Sequence, residues 1–323
     1  MASPYFTADA LAAAADRVHA EMPPTPQFAW PLLQAEVGAE VWVKHENHTP
    51  TGAFKIRGGI TFIDWLKREH PGVHGIVTAT RGNHGQSQAR AAKAAGLAAR
   101  IYVPHGNSAE KNAAMHAFGA ELVEVGRDFD EARGAAEAAA RDEGLFAVPS
   151  FHRELVRGVA TYGWELFHAV ADLHTVYVPV GMGSGLCGLI AARDALGLKT
   201  EVVGVVATGA PANKLSLEAG RVIETSRADT FADGIATRVP SPEALAIYGP
   251  GAARIVAVDD DEIAEAMRML WRTTHNLAEG AGAAALAGLM RERATMRGRR
   301  VAVILTGGNI DLDLFGRTIF GAG

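Results

Sequence analysis

The chain has 323 residues, 48% hydrophobic and 21% charged, with a formal net charge of −5. That is enough apolar material for a large core or two domains, and it excludes a disordered chain. The mixed, slightly acidic charge offers no basic face for nucleic acid, and the single cysteine, Cys187, excludes a disulfide framework and a cysteine-based zinc cluster. The start of the chain lacks the basic and apolar runs of a signal peptide. No apolar stretch approaches the roughly 20 residues of a membrane span. The expectation is a cytoplasmic globular protein with a small-molecule partner and no contact with membrane or nucleic acid.

In chain order, short β-branched runs at residues 39–44, 75–78, 100–103, 121–125, 175–180, 201–206, 254–258 and 300–305 predict strands. Most are apolar nearly throughout, as expected when helices cover both faces of a sheet. Residues 86–95, 109–118, 130–143, 155–170, 185–196, 260–276 and 281–293 predict helices. The acids Asp259 to Glu262 sit where a helix dipole favours them. Alternation of this kind predicts an α/β protein with two open, mainly parallel twisted sheets flanked by helices. The alanine-rich stretch 75–150 reads as a smaller domain inserted into a larger one made of 1–74 and 151–323.

Four glycine-centred segments carry the chemistry. In Pro50-Thr51-Gly52-Ala53-Phe54-Lys55-Ile56-Arg57-Gly58-Gly59, a lysine stands in an apolar bracket with glycines on both sides. Such a lysine is either a surface side chain lying along a strand end or one held against a ligand in neutralised form. Thr78-Ala79-Thr80-Arg81-Gly82-Asn83-His84-Gly85-Gln86 runs from a strand into a helix, where bare N–H groups suit an anion or merely cap the helix. Pro179-Val180-Gly181-Met182-Gly183-Ser184-Gly185-Leu186 repeats that arrangement with three glycines and a serine, which suits a phosphate. It is neither a P-loop nor the dinucleotide fingerprint. Leu305-Thr306-Gly307-Gly308-Asn309 ends the last strand, at the edge where open α/β sheets bind ligands. His45-Glu46-Asn47-His48 lacks the i, i+4 histidine spacing of the helical zinc motif, and both histidines read as loop residues.

Taken in this order, the four segments resemble the tryptophan-synthase-like (fold-type II) pyridoxal-phosphate enzymes, and among them the serine/threonine dehydratases and serine racemase. The resemblance spans about residues 23 to 314. It includes Ala232-Asp233-Gly234 and Glu279-Gly280-Ala281-Gly282, which stand where that family has its own motifs. It implies pyridoxal 5'-phosphate as cofactor, joined to Lys55 and packed near Phe54. Gly181, Met182, Gly183, Ser184 and Gly185 would cradle the phosphate. Asn83 would bond the ring hydroxyl, Thr306 would face the ring nitrogen, and Gly234 and Glu279 would complete the site. The turn Thr80, Arg81, Gly82, Asn83 and His84 would hold the substrate carboxylate. The implied reaction is β-elimination of a β-hydroxy amino acid, threonine or serine by default, to a 2-oxo acid and ammonia. A homodimer is also implied.

Three departures bear on that expectation. Arg81 replaces a serine that acts as a second acid/base in serine racemase. Arginine stays protonated, which argues against racemisation; it is either a fork for a substrate carboxylate or a solvent-facing side chain. Ala207 and Asn213 stand where that subgroup has metal-binding acids, so no metal is expected there. Thr306 replaces a serine and keeps the hydroxyl. With the sequence ending at Gly323, the regulatory domain of biosynthetic threonine deaminases is not expected. Rival readings are a dehydratase for 3-hydroxyaspartate or phenylserine, an amino-acid racemase and, from a different class, a non-catalytic sensor that binds the cofactor.

Overall fold

The structure, a computed structural model, describes residues 5–127 and 129–321. Its strands are β1 (Gln27–Ala29), β2 (Glu40–His45), β3 (Gly75–Ala79), β4 (Ala98–Val103), β5 (Glu121–Glu124), β6 (Phe146–Ala147), β7 (Thr175–Pro179), β8 (Glu201–Ala207), β9 (Arg254–Val258) and β10 (Arg300–Leu305). They form a six-stranded sheet in the order β1-β2-β10-β7-β8-β9 and a four-stranded sheet in the order β5-β4-β3-β6. Every pairing is parallel except β1 with β2. The expected fold class is therefore the observed one. The short strands β1 and β6 were not foreseen, because Gln-Phe-Ala and Phe-Ala carry no alternation or β-branched run to read.

The apolar runs of the larger sheet divide between its two faces with period two. Tyr177, Val203, Val205, Val301 and Val303 enter one core, beneath the helix Gly280–Arg291. Val176, Val178, Val202, Ala302 and Ile304 enter the other, beneath the helices Arg153–Ala169 and Ser184–Ala195. Two covered faces explain why these strands are apolar throughout.

The lysine segment departs from the surface reading. Lys55 opens the helix Lys55–Glu69 instead of lying along a strand end. Most of this helix is buried, and glycines set its depth. A Cβ on Gly58 would lie 2.7 Å from the Leu155 carbonyl oxygen, and one on Gly158 would lie 2.1 Å from the Arg57 carbonyl oxygen. Only hydrogen at both positions lets the helices Lys55–Glu69 and Arg153–Ala169 approach so closely. The helix after β3 likewise begins at Asn83, three residues earlier than the pattern of its apolar face suggests.

Candidate active site

Three of the four segments meet because of strand order. β2, β10 and β7 are neighbours, so the loops leaving their carboxyl ends lie side by side. The lysine loop and the loop after β10 are laced together. Phe54 N donates to Thr306 O at 3.0 Å, Gly308 N donates to Gly52 O at 2.9 Å, and Ala53 bridges Gly307. The lysine loop then reaches the loop after β7, where Lys55 Nζ donates to Ser184 Oγ at 3.4 Å. Nζ also lies 4.9 Å from the centre of the Phe54 ring. Burial lowers the Lys55 ammonium from its ordinary 10.5 to about 8, against an opposing pull from Glu279.

The loop after β7 is a cradle shaped by missing side chains. A Cβ on Gly181 would lie 2.2 Å from the Gly234 carbonyl oxygen, and Gly183 has φ +98°, a conformation that strains any other residue. Gly183 caps the helix Ser184–Ala195. Cys187 N returns to Gly183 O at 2.9 Å, which leaves the N–H groups of Ser184, Gly185 and Leu186 without helical acceptors. Tyr162 fixes this first turn by donating to Gly185 O at 2.6 Å. Met182 is half-buried at the tip of the loop.

The segment after β3 supplies a second helix N-terminus. Thr80 is buried, and its hydroxyl accepts from Gly82 N at 3.1 Å, so that N–H is used in holding the turn. Gln86 N returns to Gly82 O, leaving Asn83, His84 and Gly85 with unclaimed N–H groups. His84 Nε2 is buried without a partner, and burial together with nearby Lys55 lowers its imidazole to about 3, so it is neutral. Arg81 is exposed on the turn. The Lys111 stem crosses the far side, where a Cβ on Gly82 would lie 2.8 Å from Lys111 Cδ. Lys111 Nζ pairs with Asp233 Oδ2 at 3.4 Å.

Thr306 and Glu279 are both buried at the floor. The Thr306 hydroxyl has one distant acceptor, Ala281 O at 3.5 Å, while Glu279 accepts from Asn83 Nδ2 at 2.6 Å. Burial raises the Glu279 carboxyl, against the pull of Lys111 and the Asn83 hydrogen bond. These residues fit pyridoxal phosphate: a softened lysine, a glycine cradle at a helix N-terminus, a buried imidazole nitrogen without a partner, and a neutral hydroxyl at the floor.

Two supporting layers escaped the sequence reading. Arg57, fully buried, donates to both oxygens of Glu46 at 2.7 and 2.9 Å and to both oxygens of Glu165 at 2.6 and 2.9 Å. Lys44 joins the cluster through Glu165 Oε2 at 2.5 Å, and Thr25 and Thr161 accept from the guanidinium. Burial alone would raise the Glu165 carboxyl, but Arg57 and Lys44 outweigh it and hold it well below the carboxylate range. Glu46 is thus a core ion, and its neighbour His45, expected in a loop, is the buried last residue of β2. An arginine between an isoleucine and two glycines, on the apolar first turns of this helix, was the available signal. In the second layer, Asn213 Nδ2 donates to Gly181 O at 2.9 Å and Tyr248 donates to Asn213 Oδ1 at 3.1 Å. The position at which resemblance pointed to a metal-binding acid therefore carries an amide that braces the cradle.

The fold and site together define an open α/β architecture with a lysine set against a glycine-lined helix N-terminus at the carboxyl ends of parallel strands. The sequence pattern of the family described as pyridoxal-phosphate dependent enzymes matches residues 19–307, and the chain belongs to that family. It is 35% identical over 278 residues to an L-threonine ammonia-lyase of Geobacter sulfurreducens, covering 86% of this chain and 69% of that protein. It is 30% identical over 309 residues to an L-threo-3-hydroxyaspartate ammonia-lyase of a Pseudomonas species, covering 95% of this chain and 97% of that one. Among solved structures it is similar to the processed form of threonine deaminase isoform 2 from Solanum lycopersicum. That match has a TM-score of 0.89 at 28% identity, with 99% of this chain and 96% of the other covered.

Proposed function

We propose that the chain is a β-hydroxy amino acid dehydratase, releasing a 2-oxo acid and ammonia, with Lys55 as its proton-transfer residue. The observation that carries this is the position of Lys55, between a glycine-lined cradle and a second helix N-terminus, with its ammonium softened to about 8. When bound, pyridoxal phosphate supplies an electron-withdrawing ring that takes up the electron pair released at the substrate Cα. Gly181, Met182, Gly183, Ser184, Gly185 and Gly234 would hold its phosphate end, and Phe54, Asn83, Glu279 and Thr306 would surround the ring. Lys55 must be neutral to take the Cα proton, and burial brings that form within reach near neutral pH. The N–H groups of Asn83, His84 and Gly85 bind the substrate carboxylate, with Thr80 and Gly82 shaping the turn. Neutral Thr306 adds no charge beside the ring nitrogen. Loss of the Cα proton and of the β-hydroxyl as water gives an enamine, and addition of water to it gives the 2-oxo acid and ammonia.

Threonine or serine is the default substrate, in keeping with relatives named as threonine ammonia-lyases. A second reading, 3-hydroxyaspartate, is favoured by the exposed guanidinium of Arg81 beside the carboxylate-binding turn. The same arginine, a poor base, counts against racemisation. The reading takes 75–150 as a small substrate-binding domain and the rest as the larger cofactor domain, supported by a four-stranded sheet whose strands all lie between 75 and 147. It also places the chain in the cytoplasm; among the described residues no helix is long and apolar enough to cross a membrane. A homodimer is supported by the exposed apolar side chains Phe28, Leu32, Trp271, Leu312 and Phe320.

The test is a panel of β-hydroxy amino acids, threonine, serine, 3-hydroxyaspartate and phenylserine, assayed for 2-oxo acid and ammonia. At least one should turn over, Lys55→Ala should abolish it, and a chelator should leave it unchanged. Cofactor binding without turnover of any of them would leave a sensor as the better reading.

A further inference from the structure

The Asn83 amide has both of its ends engaged by other side chains of the protein. Its Nδ2 donates to Glu279 Oε1 at 2.6 Å, and its Oδ1 accepts from Asn309 Nδ2 at 2.8 Å. Asn309 is oriented in turn by a backbone carbonyl, since the same Nδ2 donates to Thr51 O at 2.8 Å. Glu279 is 6% exposed, and its own N–H donates to Gly307 O at 3.1 Å. Both side chains pass through gaps left by glycine. A Cβ on Gly307 would lie 2.5 Å from Glu279 Oε1, and one on Gly52 would lie 2.5 Å from Asn309 Oδ1. The lysine loop and the loop after β10 are therefore shaped around this chain of three side chains.

A side-chain amide is nearly symmetric in shape, and its two ends differ only in what they bond. Turning Asn83 over would set its carbonyl against the Glu279 carboxyl oxygen and its NH₂ against the NH₂ of Asn309. Two hydrogen bonds would become two repulsions. With both ends engaged as observed, one N–H of Asn83 remains uncommitted.

We propose that Glu279 and Asn309 are positioning residues that lock the Asn83 amide so that it offers the cofactor's ring oxygen an N–H and never a carbonyl. This rests on the reading of Asn83 as a cofactor contact. A donor fixed in advance favours the negatively charged form of that oxygen without reorganisation on binding. Glu279 acts here through its acceptor oxygen, so a glutamine that keeps that oxygen should serve.

The experiment titrates pyridoxal phosphate into cofactor-free wild-type protein and into the variants N83A, E279A, E279Q, N309A and E279A/N83A, following the dissociation constant and the absorption spectrum of the bound cofactor. Loss of one oriented, charge-assisted hydrogen bond should weaken binding about tenfold in N83A, E279A and N309A, with a common change of spectrum. E279Q should stay within about threefold of wild type, and E279A/N83A should bind no more weakly than N83A. The proposal is overturned if the two losses multiply in the double variant, if E279Q is as weak as E279A, or if N309A binds like wild type. A normal N83A would instead remove the reading of Asn83 on which the proposal stands. Should E279A fail to fold, E279Q and N309A still decide the matter.

Discussion

Lys55 should be a stability defect in the cofactor-free protein, and removing its charge should make the protein stronger while ending its chemistry. The fall of its ammonium from 10.5 to about 8 corresponds to about 3 kcal/mol against the charged form, at about 1.4 kcal/mol per tenfold change. The side chain is half-buried, and solvent screening reduces this to about 1–2 kcal/mol. The sign follows from proton binding. Between about 8 and 10.5 the unfolded chain holds the Lys55 proton and the folded chain does not, so this contribution to stability rises with pH. Below about 8 both states are charged and the full penalty stands. Lys55→Met, which keeps the length and removes the charge, should therefore stabilise the cofactor-free protein by about 1–2 kcal/mol at pH 7 beyond any gain from packing. That advantage should shrink toward pH 10. Urea unfolding of both proteins at a series of pH values measures it. A difference between the two that is constant from pH 7 to pH 10 would falsify the account of Lys55 as a desolvated cation.

Arg57→Met strips the buried cluster of its central cation, leaving Glu46 to the Thr25 hydroxyl and Glu165 to Lys44 and the His19 ring. It should cost about 3–5 kcal/mol in denaturant unfolding, and Arg57→Lys should recover little because an ammonium cannot fork to two carboxylates. An exposed-pair cost of under about 1 kcal/mol would show the cluster to be solvated. Gly181→Ala drives a methyl into the Gly234 carbonyl oxygen, 2.2 Å away, so the cradle must open. Dialysis should then strip pyridoxal phosphate from this variant faster than from wild type, and thermal unfolding of the cofactor-free form should show a loss of about 1–3 kcal/mol.

The inner strands of the larger sheet were legible because helices cover both its faces, and such burial writes itself into composition. The glycine segments were legible because helix N-termini and close backbone approach demand that residue. Partnership between distant side chains was not. Nothing local joins Glu46, Arg57 and Glu165, which meet only because a glycine contact lets two helices approach. Asn309 looked like turn punctuation, and its hydrogen bond to Asn83 spans more than two hundred residues. Asn213 shows the same limit from another side. Its position pointed to a missing metal, whereas its amide donates to the cradle carbonyl.

The strand order also dictates a sequence of assembly. β10, the last strand to be synthesised, lies between β2 and β7 in the sheet and pairs in register with both. Until it arrives, the lysine loop has no Thr306 carbonyl to receive Phe54 N, and the two halves of the large sheet share no edge. A nascent chain can build the four-stranded sheet early, from strands that are close in sequence. The cofactor site, by contrast, waits for a pairing across some 260 residues, the kind of long-range closure that folds slowly. With the site as proposed, cofactor capture would come late in folding, and the colour of the bound cofactor would serve as a proofreading signal for chains that have inserted their final strand.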